Sequence, residues 1–203
     1  RAYIAIAGGI DVPEILGSKS TYLLGAIGGY EGRKLMEGDV LTIGDMPYIT
    51  PKITVLPEDY RQTLPKSVEF RVTPGLYDHL LTDEGKSDFY DMTWKVSSES
   101  DRIGYRCKGE KLLQFIDRKP PFGAGSNPSN IVDAPYPVGS IQIPGGKEPI
   151  ILHRDSVSGG GYAMIATVIS ADMDLIGQLQ PNYMIKLKTV SIDEALAARK
   201  EYK

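Results

Sequence analysis

Short apolar runs, each interrupted by glycine or proline, most constrain what this chain can fold into, and they are clearest between Asn127 and Ala171. Val138–Ile143 alternates apolar and polar residues, as a strand with one buried face does. Pro149–Leu152 and Met164–Ile169 are continuously apolar, which is typical of strands covered on both faces. The 22 glycines and 14 prolines favour turns over long helices. The sequence therefore predicts a mainly β fold, a barrel or a sandwich, with about ten short strands and a few short helices.

The remaining segments extend this pattern along the chain. Further strands are predicted at 2–7, 67–72, 93–96, 103–107 and 184–188, with a hairpin arm at 35–43. Helical segments are predicted at 12–16, 76–91, 172–179 and 192–201. The last of these follows Ser191, and Glu194 completes a capping box with it. Residues 44–66 include prolines at 47, 51, 57 and 65, which predicts a connector between two lobes.

Composition argues against several classes of function. The net charge of −3 gives no basic surface for nucleic acid or an anionic membrane, and no apolar run reaches the roughly 18 residues of a membrane span. Cys107 is the single cysteine, so an internal disulfide is impossible. His79 and His153 lack metal-binding spacing, so no metal site is expected. The cytoplasm is the expected compartment.

The first residues predict that the chain is cut from a longer protein. Arg1 stands where a methionine is usual, and a predicted strand begins at once without a signal-peptide layout. A strand edge at 2–7 would need a partner. We therefore expect association with another chain or membership of a longer one.

The segment HRDSVSGGGY, from His153 to Tyr162, places reactive side chains beside three consecutive glycines in a predicted loop. Glycine loses more backbone entropy on folding than any other residue, so the triplet indicates close approach to a ligand or to another segment. Its N–H groups could stabilise an oxyanion, or the triplet could form a β-bulge or tight hairpin. Asp155 is equally consistent with a site role and with a turn carboxylate.

Two other polar clusters are candidate binding residues. Asn130 and Asp133, beside an NPSN turn, could hold a small amide-like ligand, although ordinary loops have the same composition. Arg102 is either a substrate clamp or, as we favour, part of a surface ion pair at a turn. The glycine-rich segment at 25–33 matches neither common nucleotide-binding motif, and a turn-rich linker or partner surface is expected there.

Four segments resemble one family. They are AYIAIAGGIDVPEILGSKSTYLLGAIGGYEGRKLMEGDVL at 2–41, SSESDRIGYR at 97–106, NPSNIVDAPYPVGSIQIPGGKEPIIL at 127–152 and RDSVSGGGYAMIATVISADM at 154–173. Together they resemble the biotin-dependent carboxyltransferase-like family, which includes allophanate hydrolase subunit 2, the carboxyltransferase region of urea carboxylase (urea amidolyase) and the C-type subunit of 5-oxoprolinase. The resemblance implies cyclophilin-like β-barrel lobes, with 1–56 as the C-terminal part of a first lobe and 57–203 as a second.

In function, the resemblance implies transfer of a carboxyl group from carboxybiotin to urea or a urea-like amide. The implied cofactor is biotin carried by a partner, and the implied partners are a biotin carboxyl carrier and a biotin carboxylase. One alternative is a subunit of an ATP-dependent 5-oxoprolinase, which would work with the other subunits of that complex. Another is a non-catalytic module that antagonises a kinase inhibitor. We expect this segment alone to be inactive.

The resemblance also implies roles for particular residues in a water-poor cleft between β-barrels. Asp155 and Tyr162 are the expected catalytic residues, and Tyr162 would act as a wall or a proton donor. The residues expected to bind the substrate or the biotin ureido group are Asn130, Asp133, Ser156, Gly159, Gly160 and Gly161.

Overall fold

The structure is a computed structural model that describes residues 3–46, 55, 57, 58, 61 and 64–202. It divides into two compact units, Arg1–Arg61 and Gln62–Lys203, and each is described by itself. The predicted connector at 44–66 lies largely outside the described residues. The predicted lobe boundary between residues 56 and 57 stays a prediction.

In the first unit, residues 3–46 are held by turns and single β-bridges. The bridges join Ile10 to Ile43, Ile15 to Ser18 and Tyr22 to Ile27. The Arg33 guanidinium donates hydrogen bonds of 2.7 and 2.9 Å to the Asp39 carboxylate, and this pairing lowers the pKa of Asp39 to about 2. No apolar side chain within 3–46 is buried.

Three local predictions for this unit are wrong. Residues 3–7 contain no strand, and residue 2 lies outside the described residues. Residues 12–16 contain no helix, and 35–43 has a turn at 37–38 with only Ile43 in a bridge. Strands and amphipathic helices form where an apolar face can be buried, and 3–46 supplies no buried surface of that kind. The predicted turn-rich character of 25–33 is confirmed.

The second unit contains a closed β-barrel. Its described strands are β1 Ser67–Pro74, β2 Trp94–Val96, β3 Gly104–Lys108, β4 Asn130–Pro135, β5 Ser140–Gln142, β6 Ile150–Leu152, β7 Gly159–Tyr162, β8 Met164–Val168 and β9 Met184–Thr189. Seven strands close the barrel in the order β1, β8, β5, β6, β3, β2, β9, and β9 runs parallel to β1. β4 and β7 form a separate two-stranded ribbon, called the ribbon below. The predicted mainly β barrel is confirmed.

The barrel core follows from the apolar pattern of its strands. β1 turns Phe70 and Val72 inward, and both are fully buried. β6 is buried at every residue and β8 at all but Thr167, as continuous apolar runs predict. β5, for which the alternating pattern predicts an exposed face, is buried at all three residues. Trp94 completes the core and donates its indole N–H to the Phe89 carbonyl at 3.0 Å.

Three described α-helices accompany the barrel: α1 Asp83–Asp91, α2 Met173–Ile176 and α3 Ile192–Glu201. The capping box of Ser191 and Glu194 is present and begins α3 where it is predicted. The helix predicted at 172–179 is shorter, because a 3₁₀ turn precedes it and α2 ends at Ile176. The buried Asp172 carboxylate instead binds the Arg71 guanidinium at 2.5 Å. Among the helices that the structure describes, none combines the length and apolarity needed to cross a bilayer.

Candidate active site

The glycine triplet lies in a strand and not, as predicted, in a loop. β7 pairs antiparallel with β4, opposing Asn130 to Tyr162, Ala134 to Gly160 and Pro135 to Gly159. The register shifts between Asn130 and Ala134, as at a β-bulge, so the bulge alternative is the one that the structure supports. The ribbon brings Asn130, Asp133, the three glycines and Tyr162 onto two adjacent strands.

Each glycine of β7 allows another segment to approach closely. A Cβ atom would lie 3.1 Å from the Ala134 carbonyl oxygen at Gly159, and 3.1 Å from the Ile131 carbonyl oxygen at Gly161. At Gly160 it would lie 3.1 Å from Cε2 of the Tyr136 ring. Contacts this short force a neighbour to move, so packing within the ribbon itself accounts for the triplet. Oxyanion stabilisation by its N–H groups stays a prediction.

Tyr136 follows β4 directly, and its hydroxyl sits on the backbone of β7. The hydroxyl oxygen accepts the Tyr162 N–H at 2.8 Å and lies 2.7 Å from the Gly160 carbonyl and 2.6 Å from the Tyr162 carbonyl. Burial is the main cause that raises the pKa of Tyr136, so its phenol stays protonated at neutral pH. The sequence predictions missed this residue, since a tyrosine in APYP carries no signal of a distant backbone partner.

The NPSN turn is ordered by its own side chains. Asn127 accepts hydrogen bonds from the main-chain N–H and the hydroxyl of Ser129, at 2.9 and 2.7 Å. Asn130 donates its side-chain amide to the Ala124 carbonyl at 2.9 Å, while Arg118 binds the Asn130 carbonyl. The side chain of Asn130 is therefore already engaged within the protein, whereas Asp133 is exposed.

Asp155 is joined to a different part of the unit. Its carboxylate accepts two hydrogen bonds from the Arg102 guanidinium, at 2.6 and 2.9 Å, and its N–H donates to the Arg102 carbonyl at 2.9 Å. The surface ion pair favoured for Arg102 is present, with Asp155 as its partner. Ser156 lies in the same loop and donates its N–H to the His153 carbonyl at 3.1 Å. The catalytic and binding roles of Asp155 and Ser156 stay predictions.

Neither histidine suggests a metal centre. The buried His153 ring packs against Tyr105 with the ring centres 5.7 Å apart, and the His79 ring lies 6.2 Å from that of Tyr77. Within the part of the chain that the structure describes, no three histidine, cysteine or acidic side chains come together as metal ligands would.

Two clefts lie away from the ribbon. One of about 540 Å³ lies in the first unit, between Ile6, Lys19 and Tyr30. Another of about 370 Å³ lies in the second unit, beside α3 and Arg154. None of the predicted site residues lines either cleft. On the ribbon, Tyr162 is 41% exposed, so the predicted groups lie at an open surface of this unit.

The fold and the ribbon define a mainly β carboxyltransferase-type domain, and comparison with known proteins places the chain in a family. The family model described as "Carboxyltransferase domain, subdomain A and B" matches residues 1–189, and the chain belongs to this family.

Relatives of known name support that assignment. The chain is 35% identical to the C-type subunit of 5-oxoprolinase from Escherichia coli K12, over 99% of its own length and 60% of that protein. It is 34% identical to a putative urea carboxylase of Emericella nidulans, over 99% of its length and 16% of that protein. The crystal structure of the K. lactis urea amidolyase superposes with a TM-score of 0.81 at 34% identity, covering 98% of this chain and 13% of that one. The chain thus spans only part of each of these relatives.

Proposed function

We propose that this chain is the carboxyltransferase component of a biotin-dependent enzyme, which transfers a carboxyl group to a nitrogen of urea or a urea-like amide. The observation that carries the proposal is the family match over residues 1–189. The similarity to the K. lactis urea amidolyase over 98% of the chain supports the same reaction class. The ribbon is the proposed place of reaction.

The ribbon fits the ureido group of biotin in size and polarity. A ureido group has one acceptor oxygen and N–H donors, and it is matched by main-chain groups and carboxylates. β7 has no side chains at its three partly buried glycines, and Asp133 and Tyr162 are exposed beside them. A planar group can therefore approach the backbone there. When bound, carboxybiotin would supply the carboxyl group that is transferred.

The residues of the ribbon would hold the acceptor nitrogen close to that carboxyl group. Urea nitrogen is a weak nucleophile, so orientation is the main contribution that a protein can make, worth about 7–11 kcal/mol in favourable cases. Asp133 would accept a hydrogen bond from the substrate N–H, and the Tyr162 hydroxyl would donate to developing negative charge. In this proposal Asp155 holds the substrate amide from the neighbouring loop, while Arg102 fixes its orientation.

The proposed partners follow from this reaction. A biotin carboxyl carrier would deliver the carboxylated cofactor, and a biotin carboxylase would load it, both in the cytoplasm. Because the chain covers 16% of the urea carboxylase relative, we propose that activity requires further polypeptide besides this segment.

A second candidate function is favoured by one relative. The 35% identity to the 5-oxoprolinase component, over 60% of that protein, supports a role in an ATP-dependent 5-oxoprolinase complex. In that role the ribbon would hold a cyclic amide, and biotin would not be needed.

One parallel assay separates the two candidates. The chain, combined with a biotinylated carrier and biotin carboxylase, is given urea with bicarbonate and ATP, and in a second series 5-oxoproline with ATP and the other oxoprolinase subunits. Carboxylation of urea that disappears when the carrier lacks biotin supports the leading proposal. Biotin-independent opening of 5-oxoproline contradicts it and supports the second. Turnover in neither series contradicts both and leaves a regulatory module as the function.

A further inference from the structure

We propose that Tyr136 is a positioning residue of the candidate active site, whose hydroxyl fixes the backbone of β7 and thereby the direction in which Tyr162 projects. The effect on backbone order is independent of the reaction. Only its effect on catalysis rests on the proposed function.

The first argument is the number of backbone groups that one hydroxyl engages. A phenol has one proton and acceptor lone pairs. The Tyr136 hydroxyl accepts the Tyr162 N–H, and its single proton is shared between the Gly160 and Tyr162 carbonyl oxygens, both within 2.7 Å. Three polar groups of two alternate β7 residues therefore depend on one side-chain atom.

The second argument is that Tyr136 is itself firmly held. Its side chain is 5% exposed, and its own N–H donates to the Ser158 carbonyl, at the start of β7, at 2.8 Å. The hydroxyl consequently has a fixed position from which to order the strand.

The third argument is the fit between Tyr136 and Gly160. A Cβ at Gly160 would lie 3.1 Å from the Tyr136 ring and 3.6 Å from its hydroxyl, so the tyrosine can take this position because residue 160 has no side chain. Three successive glycines give a strand with unusually large backbone freedom in the absence of side-chain packing. A hydroxyl that binds the strand at residues 160 and 162 offsets that freedom where Tyr162 leaves the surface.

The test is Tyr136→Phe in the whole chain, which keeps the ring and removes the hydroxyl. Amide hydrogen exchange at 160–162 should become at least about tenfold faster, and the NMR signal of the Tyr162 ring should shift or broaden. Tyr105→Phe is the matched control, because Tyr105 is also buried and its hydroxyl donates to the Gly177 carbonyl, at 3.2 Å. It should leave both signals of the ribbon unchanged.

A second variant approaches the same contact from the other side. Gly160→Ala should push against the Tyr136 ring and reproduce the faster exchange at 160–162. If neither variant changes exchange there relative to Tyr105→Phe, the proposal is overturned.

In the reconstituted carboxylation assay, Tyr136→Phe should lower kcat about tenfold with little change in KM, a split that a general loss of stability would not produce. An unchanged kcat in a variant with faster exchange would overturn the catalytic part of the proposal. If the wild-type complex has no carboxylation activity, while exchange responds as expected, the proposed function fails and the ordering role of Tyr136 stands.

Discussion

At Asp155, the predicted catalytic role and the observed salt bridge involve the same two oxygen atoms. Both carboxylate oxygens accept hydrogen bonds from Arg102, whose side chain is 61% exposed, while that of Asp155 is 31% exposed. A bidentate pair of this kind fixes the plane of the carboxylate but contributes little to stability at an exposed position. Arg102 can therefore orient Asp155 without being essential for the fold.

Asp155→Asn should lower turnover in the reconstituted complex at least about tenfold, or about 1.4 kcal/mol, because the amide cannot accept the same two hydrogen bonds. The free energy of unfolding should change by less than about 1 kcal/mol, as measured by urea denaturation. Glu69→Gln, which weakens the exposed pair of Glu69 and Lys188, 3.8 Å apart, is the control and should keep full turnover. Wild-type turnover in folded Asp155→Asn would remove this residue from the site.

Cys107 lies on β3, fully buried in the barrel, and burial raises the pKa of its thiol to about 12. The reactive form of a cysteine is the thiolate. A disulfide exchange reagent at pH 8 should therefore react with the native protein at least about a hundredfold more slowly than with the urea-unfolded chain. Comparable rates would show that the barrel opens readily around β3.

The same thiol affects the pH dependence of stability. Its folded pKa is raised above the unfolded value, so the folded protein holds the proton more tightly, and this stabilisation is complete below about pH 8.5. It should be lost as the pH rises toward about 12. Urea denaturation between pH 8 and pH 11 should show wild type losing more stability than Cys107→Ala.

At the scale of single elements, the success of the sequence predictions depended on where an element's stabilising partner lies. The capping box that begins α3 joins residues three apart, and it could be located to the residue. β6 and β8 are runs that only a covered strand accommodates, so their existence was also predictable. β7 became a strand because β4 and Tyr136 pack on it, and no local property of GGGY indicates those partners. The role of Tyr136 was unpredictable for the same reason.

Gly85 in α1 sets helix propensity against packing. Alanine normally stabilises a helix interior by about 1 kcal/mol relative to glycine. Here a Cβ would overlap the carbonyl of Gln114, which is backbone and cannot easily move aside. Gly85→Ala should thus destabilise the protein by about 1–3 kcal/mol in thermal denaturation. Ser87→Ala, at an exposed position of the same helix, should change stability by less than about 0.5 kcal/mol, and a stabilised Gly85→Ala would show that Gln114 yields.

The cap of α3 gives a second prediction at this scale. Ser191 accepts the Glu194 N–H at 3.2 Å, and the Glu194 carboxylate accepts the Ser191 N–H at 2.7 Å. Ser191→Ala should lower the free energy of unfolding by about 1 kcal/mol. Ser191→Thr keeps the hydroxyl and should retain most of the stability, so equal losses in the two variants would argue against the cap as the cause.

At the scale of the whole molecule, the two units differ in what holds them together. The second unit has a continuous buried core that includes Phe70, Trp94 and Ile165, whereas 3–46 buries no apolar side chain. This difference explains why strand and helix predictions failed mainly in the first unit, where apolar patterns have no observed surface to pack on. Periodicity identifies which face wants to be buried, but only the fold shows whether a covering surface exists.

Hydrogen exchange on the whole chain should reflect the same difference. Amides of β1, β6 and β8 should exchange only on global or near-global unfolding, while most amides at 3–46 should exchange at least about a hundredfold faster. Exchange at 3–46 as slow as in the barrel strands would show that this region is stabilised by more than its observed contacts.

The parallel pairing of β1 with β9 has a consequence during protein synthesis. Val72 pairs with Thr189, so the seam that completes the cylinder joins one of the first strands of the second unit to its last. At translation rates of about 5–20 residues per second, β1 waits on the order of ten seconds for this neighbour, and the exit tunnel delays it further. Throughout that interval a nascent, open sheet presents an unpaired edge, which makes the ribosome-bound stage the one at which this protein most needs a chaperone.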